Sequence, residues 1–206
     1  MPSQYLVVAG NIGVGKSSLT SLLARRFGVT PVFEVVEENP YLADFYDDMP
    51  RWGFASQVFF LTRRLQQHQE LLQLDGVVVQ DRSIYEDAEI FARGLHLGGH
   101  LSMRDWRTYY DLYTRIVATL PPPDLVVYLD ASVPTLLARI RKRGRDYEQN
   151  ITADYLTRLA ELYRHWAASL TRTRVVAIDT DALDYVTRPA DFESLITSLR
   201  AGGVAF

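Results

Sequence analysis

The 206-residue chain contains no cysteine and only two lysines, Lys16 and Lys142, beside twenty arginines. The missing cysteine excludes disulfides, thiolate metal sites and cysteine nucleophiles. No apolar run approaches the ~18 residues of a membrane-spanning helix, and the N-terminus carries no signal-peptide pattern. The net charge of −3 argues against a broad nucleic-acid-binding surface. With 48% apolar residues, the chain is expected to be a single domain, residues 1–206, of a cytoplasmic enzyme without membrane or nucleic-acid partners.

Near-continuous apolar runs are typical of parallel strands that helices cover on both faces. Five such runs occur, at 5–9, 32–36, 77–80, 125–129 and 175–178. Between and after these runs, the sequence predicts helices at 18–27, 41–74, 84–120, 133–143, 153–171 and 190–200. The alternation predicts an α/β domain with a five-stranded parallel sheet flanked by helices. Ligands of such sheets bind at the carboxyl ends of the strands.

The segment 10–17 follows the first predicted strand, precedes a predicted helix and fits the phosphate-binding pattern G-x-x-x-x-G-K-[ST] in full. In this pattern backbone N–H groups face phosphate oxygens, the lysine reaches the β- and γ-phosphates, and the serine hydroxyl binds Mg²⁺. The residues predicted to bind a nucleoside triphosphate are Gly10, Asn11, Ile12, Gly13, Val14, Gly15, Lys16, Ser17 and Ser18. The alternative is a glycine-rich turn with an ordinary exposed lysine.

Two further predicted strands carry charged residues at or near their ends. Glu34 interrupts the apolar run of the second strand, where a carboxylate is costly unless it has a partner or a function. Near a γ-phosphate it can accept a hydroxyl proton, and the alternative is an edge strand with Glu34 facing water. Asp81 and Arg82 end the third strand, where an aspartate can hold Mg²⁺ opposite Ser17 and an arginine lies beside the transferring phosphoryl group.

The densest basic run of the chain covers residues 139–145 and includes Arg139, Arg143 and Arg145. Guanidinium groups bind phosphate oxygens in pairs, and Gly144 within the run suggests a hinge. We therefore favour an arginine-rich lid, at about residues 143–150, over a helix whose C-terminal cations only complement its dipole.

Gln57 and Arg64 lie seven residues apart in a predicted helix and therefore share one face. A glutamine amide can both donate to and accept from the edge of a nucleobase. If these two residues and Asp87 stood alone, a solvated helix face would be the better interpretation.

Together and in this order, the motifs resemble the deoxyribonucleoside kinase family, and particularly its bacterial deoxyadenosine/deoxyguanosine kinases. The resemblance spans almost the whole chain: the loop at 10–17, E-x-V at 34–36 followed by EENPYL at 37–42, FASQVFFLTRR at 54–64, DRS at 81–83, and R-x-x-x-RGR-x-x-E at 139–148. It implies a P-loop kinase fold, ATP as phosphate donor, a deoxynucleoside as acceptor, Mg²⁺, and a homodimer formed through long helices.

The resemblance also implies a role for each matching residue. Glu34 is the implied general base on the nucleoside 5′-hydroxyl, and Arg82 positions that hydroxyl. Ser17 and Asp81 hold Mg²⁺, and Lys16 completes the implied catalytic set together with Arg143. The remaining implied roles are phosphate binding by Lys16, Arg139, Arg143 and Arg145, binding of the 3′-hydroxyl by Tyr46 and Glu148, base pairing by Gln57 with Arg64 and Asp87 nearby, and packing by Phe91, Ile12, Val36 and Leu42.

Two positions depart from the family pattern, since Val35 replaces a proline and Ser56 replaces the phenylalanine that many relatives place before Gln57. The small Ser56 leaves room around the base, which is consistent with a purine. A glutamine amide can form two hydrogen bonds with the edge of adenine or of cytosine, whereas the keto edge of thymine would leave buried polar groups unpaired. We expect deoxyadenosine or deoxyguanosine first, and deoxycytidine third.

Two other classes share part of the pattern. A nucleoside monophosphate kinase of the thymidylate kinase type has the loop, an Asp-Arg motif and an arginine lid, but places an arginine where Glu34 stands because its acceptor is already a phosphate. A switch GTPase needs N/T-K-x-D and D-x-x-G, and the sequence contains neither.

Overall fold

The structure, a computed structural model, describes residues 1–34, 38–148 and 150–204. Five parallel strands form one sheet in the order β2-β3-β1-β4-β5. The strands are β1 (Gln4–Gly10), β2 (Thr30–Val32), β3 (Val77–Asp81), β4 (Leu125–Asp130) and β5 (Arg174–Asp179). The predicted α/β class and the five-stranded parallel sheet are therefore confirmed.

Helices connect the strands and flank the sheet. They are α1 (Lys16–Phe27), α2 (Leu42–Asp47), α3 (Met49–Leu71), α4 (Ile84–Glu86), α5 (Arg93–Leu97), α6 (Met103–Val117), α7 (Val133–Arg143), α8 (Ala153–Ser169) and α9 (Pro189–Ala201). A π-helical turn, Asp87–Ala92, joins α4 to α5, and a 3₁₀ turn, Asp146–Glu148, follows α7. Within the described residues, none of these helices has the length and apolar character needed to cross a membrane.

The second strand differs from its prediction at both ends. It begins at Thr30 and ends at Val32, and it pairs only with β3 at the edge of the sheet. Glu34 therefore follows the strand and does not lie within it. Its carboxylate forms ion pairs with two arginines, Arg64 and Arg82. The predicted strand residues Val35 and Val36 lie outside the described residues.

The two longest predicted helices are interrupted. The segment 41–74 divides into α2 and α3 at Asp48, whose Oδ1 accepts a hydrogen bond of 3.2 Å from the N–H of Arg51 and caps α3. The segment 84–120 is broken between Gly98, which follows α5, and Ser102, which precedes α6. Oγ of Ser102 accepts a hydrogen bond of 3.1 Å from the N–H of Asp105 and caps α6. Both breaks use ordinary N-cap residues, so local capping overrides the continuous apolar periodicity.

The register of the sheet brings the candidate residues to one edge. Val8 of β1 pairs with Asp81 of β3, and Gly10 pairs with Leu129 of β4. The three central strands therefore end at the same level, beside the glycine-rich loop 10–17. Their inner residues are fully buried, which fixes this edge on a rigid base.

His68 on α3 is a buried titratable residue beneath the sheet. Its ring meets the edge of the Tyr5 ring at a centroid distance of 5.4 Å. Burial lowers the pKa of His68 to about 4, and the Pro121 backbone opposes this shift only in part. The ring is therefore neutral in the folded protein at neutral pH, whereas an unfolded histidine titrates near 6.5.

We expect the free energy of unfolding to fall by about 2 kcal/mol between pH 7 and pH 5 through His68, because only the unfolded state binds the proton over this range. The substitution His68→Leu should remove this part of the pH dependence, as measured by urea unfolding at several pH values. The exposed His165 provides the control, since His165→Leu should leave the slope intact. Equal slopes in wild type and His68→Leu would contradict the assignment.

Candidate active site

The carboxyl edge of the sheet opens into a cleft of about 870 Å³. The predicted residues that line it are Ile12, Gly13, Val14, Gly15, Lys16, Ser17, Ser18, Glu34, Tyr46, Gln57, Arg82, Asp87, Phe91, Arg139, Arg143, Arg145 and Glu148. Gly10, Asn11, Arg64 and Asp81 are buried beside it without lining it. Of the apolar pocket residues, Ile12 and Leu42 line the cleft, and Val36 lies outside the described residues.

The glycine-rich loop adopts a conformation that other residues rarely adopt. Gly10 has φ 144° and Gly15 has φ 110°. A Cβ at Gly10 would also collide with the carbonyl oxygen of Leu129. Asn11 anchors the loop, because its Nδ2 donates to the carbonyl of Leu156 on α8 at 2.9 Å. The loop is thus a fixed turn at the start of α1, with N–H groups free of Cβ obstruction.

Lys16 folds back over this loop. Its Nζ donates to the carbonyl oxygens of Gly10 at 2.9 Å and Asn11 at 3.1 Å. Burial lowers the pKa of Lys16 to about 8, the nearby Arg82 adds to this shift, and three carboxylates oppose it. The alternative of an ordinary exposed lysine is therefore wrong, because this ammonium group is buried within the loop.

Ser17 and Asp81 form the polar pair predicted to hold Mg²⁺. The Ser17 hydroxyl donates to Oδ2 of Asp81, and Oδ1 of Asp81 is buried with no partner among the described residues. Burial raises the pKa of Asp81, and Lys16 opposes this shift. A buried carboxylate oxygen without a partner, next to a hydroxyl, fits the oxygen ligands that Mg²⁺ prefers.

A network of buried charges lies opposite the loop. Nη2 of Arg64 lies 2.9 Å from Oε1 of Glu34, and Nε of Arg64 lies 3.3 Å from Oδ2 of Asp87. Nε of Arg82 lies 3.4 Å from Oε2 of Glu34. Gln57 and Arg64 are only 3% and 2% exposed, and the Glu34 side chain is 14% exposed. The alternatives of a solvated helix face and of a Glu34 facing water are therefore wrong.

Glu34 remains ionised in this network. Burial acts to raise the pKa of Glu34, but Arg82, Arg64 and Lys16 together outweigh burial and hold the pKa below its ordinary value. The carboxylate of Glu34 lines the cleft, and the guanidinium groups of Arg64 and Arg82 both form ion pairs with it. An ionised carboxylate in this place can accept a proton from a hydroxyl group in the cleft.

Arg82 has an unusual backbone conformation. Its φ of 65° lies in the left-handed region, which is uncommon for a residue with a side chain. Its N–H donates to the carbonyl of Val8 at 3.1 Å, and its guanidinium lies 4.2 Å from the centroid of the Phe91 ring. In this conformation the guanidinium lies between Phe91 and Glu34. The strained residue is therefore located where the predicted reaction occurs.

Several apolar side chains line the part of the cleft around Gln57 and Asp87. Oε1 of Gln57 is buried with no hydrogen-bond partner among the described residues. Phe45, Phe60 and Tyr155 line the cleft, although the sequence did not identify these residues, since aromatic side chains on helices usually indicate core. Ser56, at the position that departs from the family pattern, accepts a hydrogen bond of 3.0 Å from Nδ2 of Asn39.

The arginines of the predicted lid have different environments. Arg143 donates three hydrogen bonds to Glu148, from Nε to Oε2 at 3.0 Å and from Nη2 to both carboxylate oxygens at 2.6 Å. Nη1 of Arg145 lies 3.7 Å from Oε1 of the same carboxylate. Arg139 donates to the carbonyls of Val14 at 3.1 Å and Thr180 at 2.6 Å, which ties the loop to the end of β5. The phosphate contacts of all three arginines stay predictions, and Gln149 of the lid segment lies outside the described residues.

The segment 181–188 lines the cleft beyond the glycine-rich loop. The Tyr185 hydroxyl donates to the carbonyl of Gly15 at 3.1 Å, so this segment packs against the loop. No sequence motif identifies this segment, which follows β5. Its place at the carboxyl end of β5 is what indicates a ligand-binding role, because ligands of parallel sheets bind at that edge.

Comparisons with known proteins agree with this geometry. A family model described as deoxynucleoside kinase matches residues 6–201. A deoxyadenosine/deoxycytidine kinase of Bacillus subtilis is 35% identical over 96% of this chain and 92% of its own length. A deoxyguanosine kinase of Lactobacillus johnsonii is 36% identical over 95% of this chain and 91% of its own length. A deoxyadenosine kinase from M. mycoides, solved with products dCMP and dCDP, matches with a TM-score of 0.86 at 29% identity over 96% of this chain and 100% of its own, which confirms the P-loop kinase fold.

The buried network makes a stability prediction. The substitution Arg64→Met should destabilise the protein by about 3–5 kcal/mol at pH 7, because it leaves Glu34 and Asp87 buried without their shared cation. The deficit should shrink at acidic pH, where these carboxyl groups can bind protons. The neighbouring Arg63 pairs with Glu38, and its side chain is 42% exposed compared with 3% for Arg64. It is the matched control, and Arg63→Met should cost under about 1 kcal/mol. Equal losses in urea unfolding would contradict the structural role of Arg64.

Proposed function

Because the chain belongs to the deoxynucleoside kinase family, we propose that it transfers the γ-phosphate of ATP to the 5′-hydroxyl of deoxyadenosine or deoxyguanosine. The observation that carries the proposal is the ionised carboxylate of Glu34, which lines the cleft opposite the glycine-rich loop. A carboxylate at this place repels an acceptor that is already a phosphate, whereas it can take the proton of a hydroxyl. This argues for a nucleoside acceptor over the thymidylate kinase type.

The donor triphosphate occupies the glycine-rich loop in this proposal. Backbone N–H groups at the start of α1 and the ammonium of Lys16 bind its phosphate oxygens, and Lys16 exchanges its two carbonyl partners for them. Arg143 and Arg145 approach from the lid. Ser17 and the unpaired Oδ1 of Asp81 would hold Mg²⁺, which when bound neutralises charge on the phosphates.

The deoxyribose lies between the loop and the part of the cleft around Gln57 in this proposal. Glu34 accepts the proton of the 5′-hydroxyl, and Arg82, held beside Glu34, stabilises the charge that develops on the transferred group. Tyr46 and Glu148 bind the 3′-hydroxyl. This assignment is supported by two observations: both residues line the cleft, and the carboxylate of Glu148 is buried.

The base faces Gln57 and packs against Phe91 in this proposal. The unpaired Oε1 of Gln57 provides an acceptor for an exocyclic amino group, and Asp87 lies close by on the cleft wall. Ser56 is small and leaves room for a purine. The names of two similar proteins specify deoxyadenosine, deoxycytidine or deoxyguanosine, which supports these three nucleosides as acceptors.

The proposal further includes a cytoplasmic enzyme that acts as a homodimer. Both features rest on the family resemblance. Light scattering of the purified protein across a range of concentrations tests the dimer directly, because a monomer at micromolar concentration excludes it.

The acceptor is tested by initial rates with ATP and Mg²⁺, using four deoxynucleosides and dTMP as acceptors. Deoxyadenosine and deoxyguanosine should have the highest kcat/KM, thymidine the lowest, and dTMP should not react. The substitution Glu34→Gln should lower kcat by about 10²–10⁴, the usual contribution of a general base. The exposed Glu70 on α3 is the control, because Glu70→Gln should keep wild-type rates. Wild-type turnover in Glu34→Gln, or phosphorylation of dTMP alone, would contradict the proposal.

Base selection makes a second prediction. The substitution Gln57→Leu should lower kcat/KM for deoxyadenosine by about 10- to 100-fold, since two hydrogen bonds to the base are lost at about 0.5–1.5 kcal/mol each. The loss should be smaller for thymidine, so the two substrates become more alike. Gln66→Leu, on the exposed face of the same helix, should change neither value. An unchanged ratio between the substrates in Gln57→Leu would exclude Gln57 from base recognition.

A further inference from the structure

Glu86 is a buried carboxylate next to the cleft that the sequence did not identify. Its Oε1 accepts from the backbone N–H of Ser83 at 2.8 Å and from the Ser83 hydroxyl at 3.2 Å. Its Oε2 accepts from the Tyr163 hydroxyl at 2.8 Å and from the backbone N–H of Gly10 at 3.4 Å. Four donors thus surround one carboxylate, and within the described residues no lysine or arginine forms an ion pair with it.

Building on the proposed function, we propose that Glu86 is a positioning residue for phosphoryl transfer that acts through Arg82. Its side chain does not line the cleft. Its partners lie at three parts of the site, which are the DRS motif at 81–83, the first glycine of the loop, and α8.

The link to Arg82 is the peptide bond that joins it to Ser83. Arg82 has a left-handed φ of 65°, a conformation that is unfavourable for a residue with a side chain. Two hydrogen bonds hold this conformation, one from the N–H of Arg82 to the carbonyl of Val8 and one from the N–H of Ser83 to Glu86. If the second is lost, the backbone can relax, and the guanidinium then leaves its place between Glu34 and Phe91.

The requirement is for a carboxylate and not for any polar side chain. Each oxygen of Glu86 accepts from one backbone N–H, that of Ser83 or that of Gly10, and a backbone N–H cannot reverse its role. A glutamine amide would therefore place its NH₂ group against a backbone donor in either orientation. A buried donor facing a donor is unfavourable, so the amide should displace one of the two segments.

The charge of Glu86 is expensive at this place, which favours a role in the site over a role in stability. Burial raises the pKa of Glu86, while Arg82 and Lys16 oppose this shift from a distance. The two backbone N–H contacts require an acceptor at each oxygen, which a carboxyl group provides. A buried carboxyl group without an ion-pair partner adds little to folding. Its contribution is to fix the geometry of Arg82 and Gly10.

Kinetics of Glu86→Gln with deoxyadenosine and ATP test this role. We expect kcat to fall by about 10- to 100-fold while KM for deoxyadenosine changes less than about threefold, since an interaction that matters only in the transition state lowers kcat. Asp105→Asn is the matched control, because Asp105 forms a similar capping pair with Ser102 on the exposed start of α6. This control should keep wild-type kinetics.

A double-mutant cycle separates positioning from general weakening. In the Arg82→Lys background, Glu86→Gln should lower kcat little further, because both changes remove the same arrangement. If Glu86→Gln does not fold, Tyr163→Phe replaces it in the cycle, since it removes one donor to Oε2 and keeps the ring. We expect a smaller loss in kcat and the same non-additivity with Arg82→Lys.

Wild-type kcat in Glu86→Gln, or losses that multiply fully with Arg82→Lys, would overturn the inference for an active enzyme. Full multiplication in the Tyr163→Phe cycle would overturn it equally. A folded wild-type protein that phosphorylates no deoxynucleoside would instead overturn the proposed function, and the inference with it.

Discussion

The structure of the site depends on keeping one largely buried carboxylate, that of Glu34, ionised in the wall of the cleft. Glu34 needs two guanidinium partners for this, because burial alone would drive it toward the neutral form. Arg64 provides one from the middle of α3, and Asp87 neutralises the remaining charge of Arg64. Arg82 provides the other from the end of β3. The long helix α3 and the strained turn after β3 therefore serve the same carboxylate.

Parallel strands make this convergence possible. Every strand of the sheet ends at the same edge, so residues distant in sequence meet there without long loops. Lys16, Glu34 and Asp81 follow or end three neighbouring strands, β1, β2 and β3. The buried central strands give this edge its rigidity, whereas the edge strand β2 is short and releases Glu34 toward the arginines.

Much of the fold and site could be predicted from residues whose chemistry is local. The loop 10–17 carries its own glycines and lysine, and DRS at 81–83 follows an apolar run, so motif and strand position agree. Glu86 could not be found in this way, because its importance depends on Gly10 and Tyr163, which only the tertiary structure brings together. Phe45 and Phe60 were missed for a related reason, since their types and spacing are those of ordinary core residues.

Several departures from usual protein chemistry lie at or beside the cleft. Arg82 has a left-handed backbone, Oε1 of Gln57 and Oδ1 of Asp81 are buried without partners in the described part of the chain, and Glu86 is a buried carboxyl group outside any ion pair there. Each of these features costs free energy of folding. A protein selected for stability alone would fill these positions with apolar or fully paired residues. Their occurrence together, in the walls of one cleft and directly behind them, is physical evidence that the cleft is built for a ligand with matching polar groups.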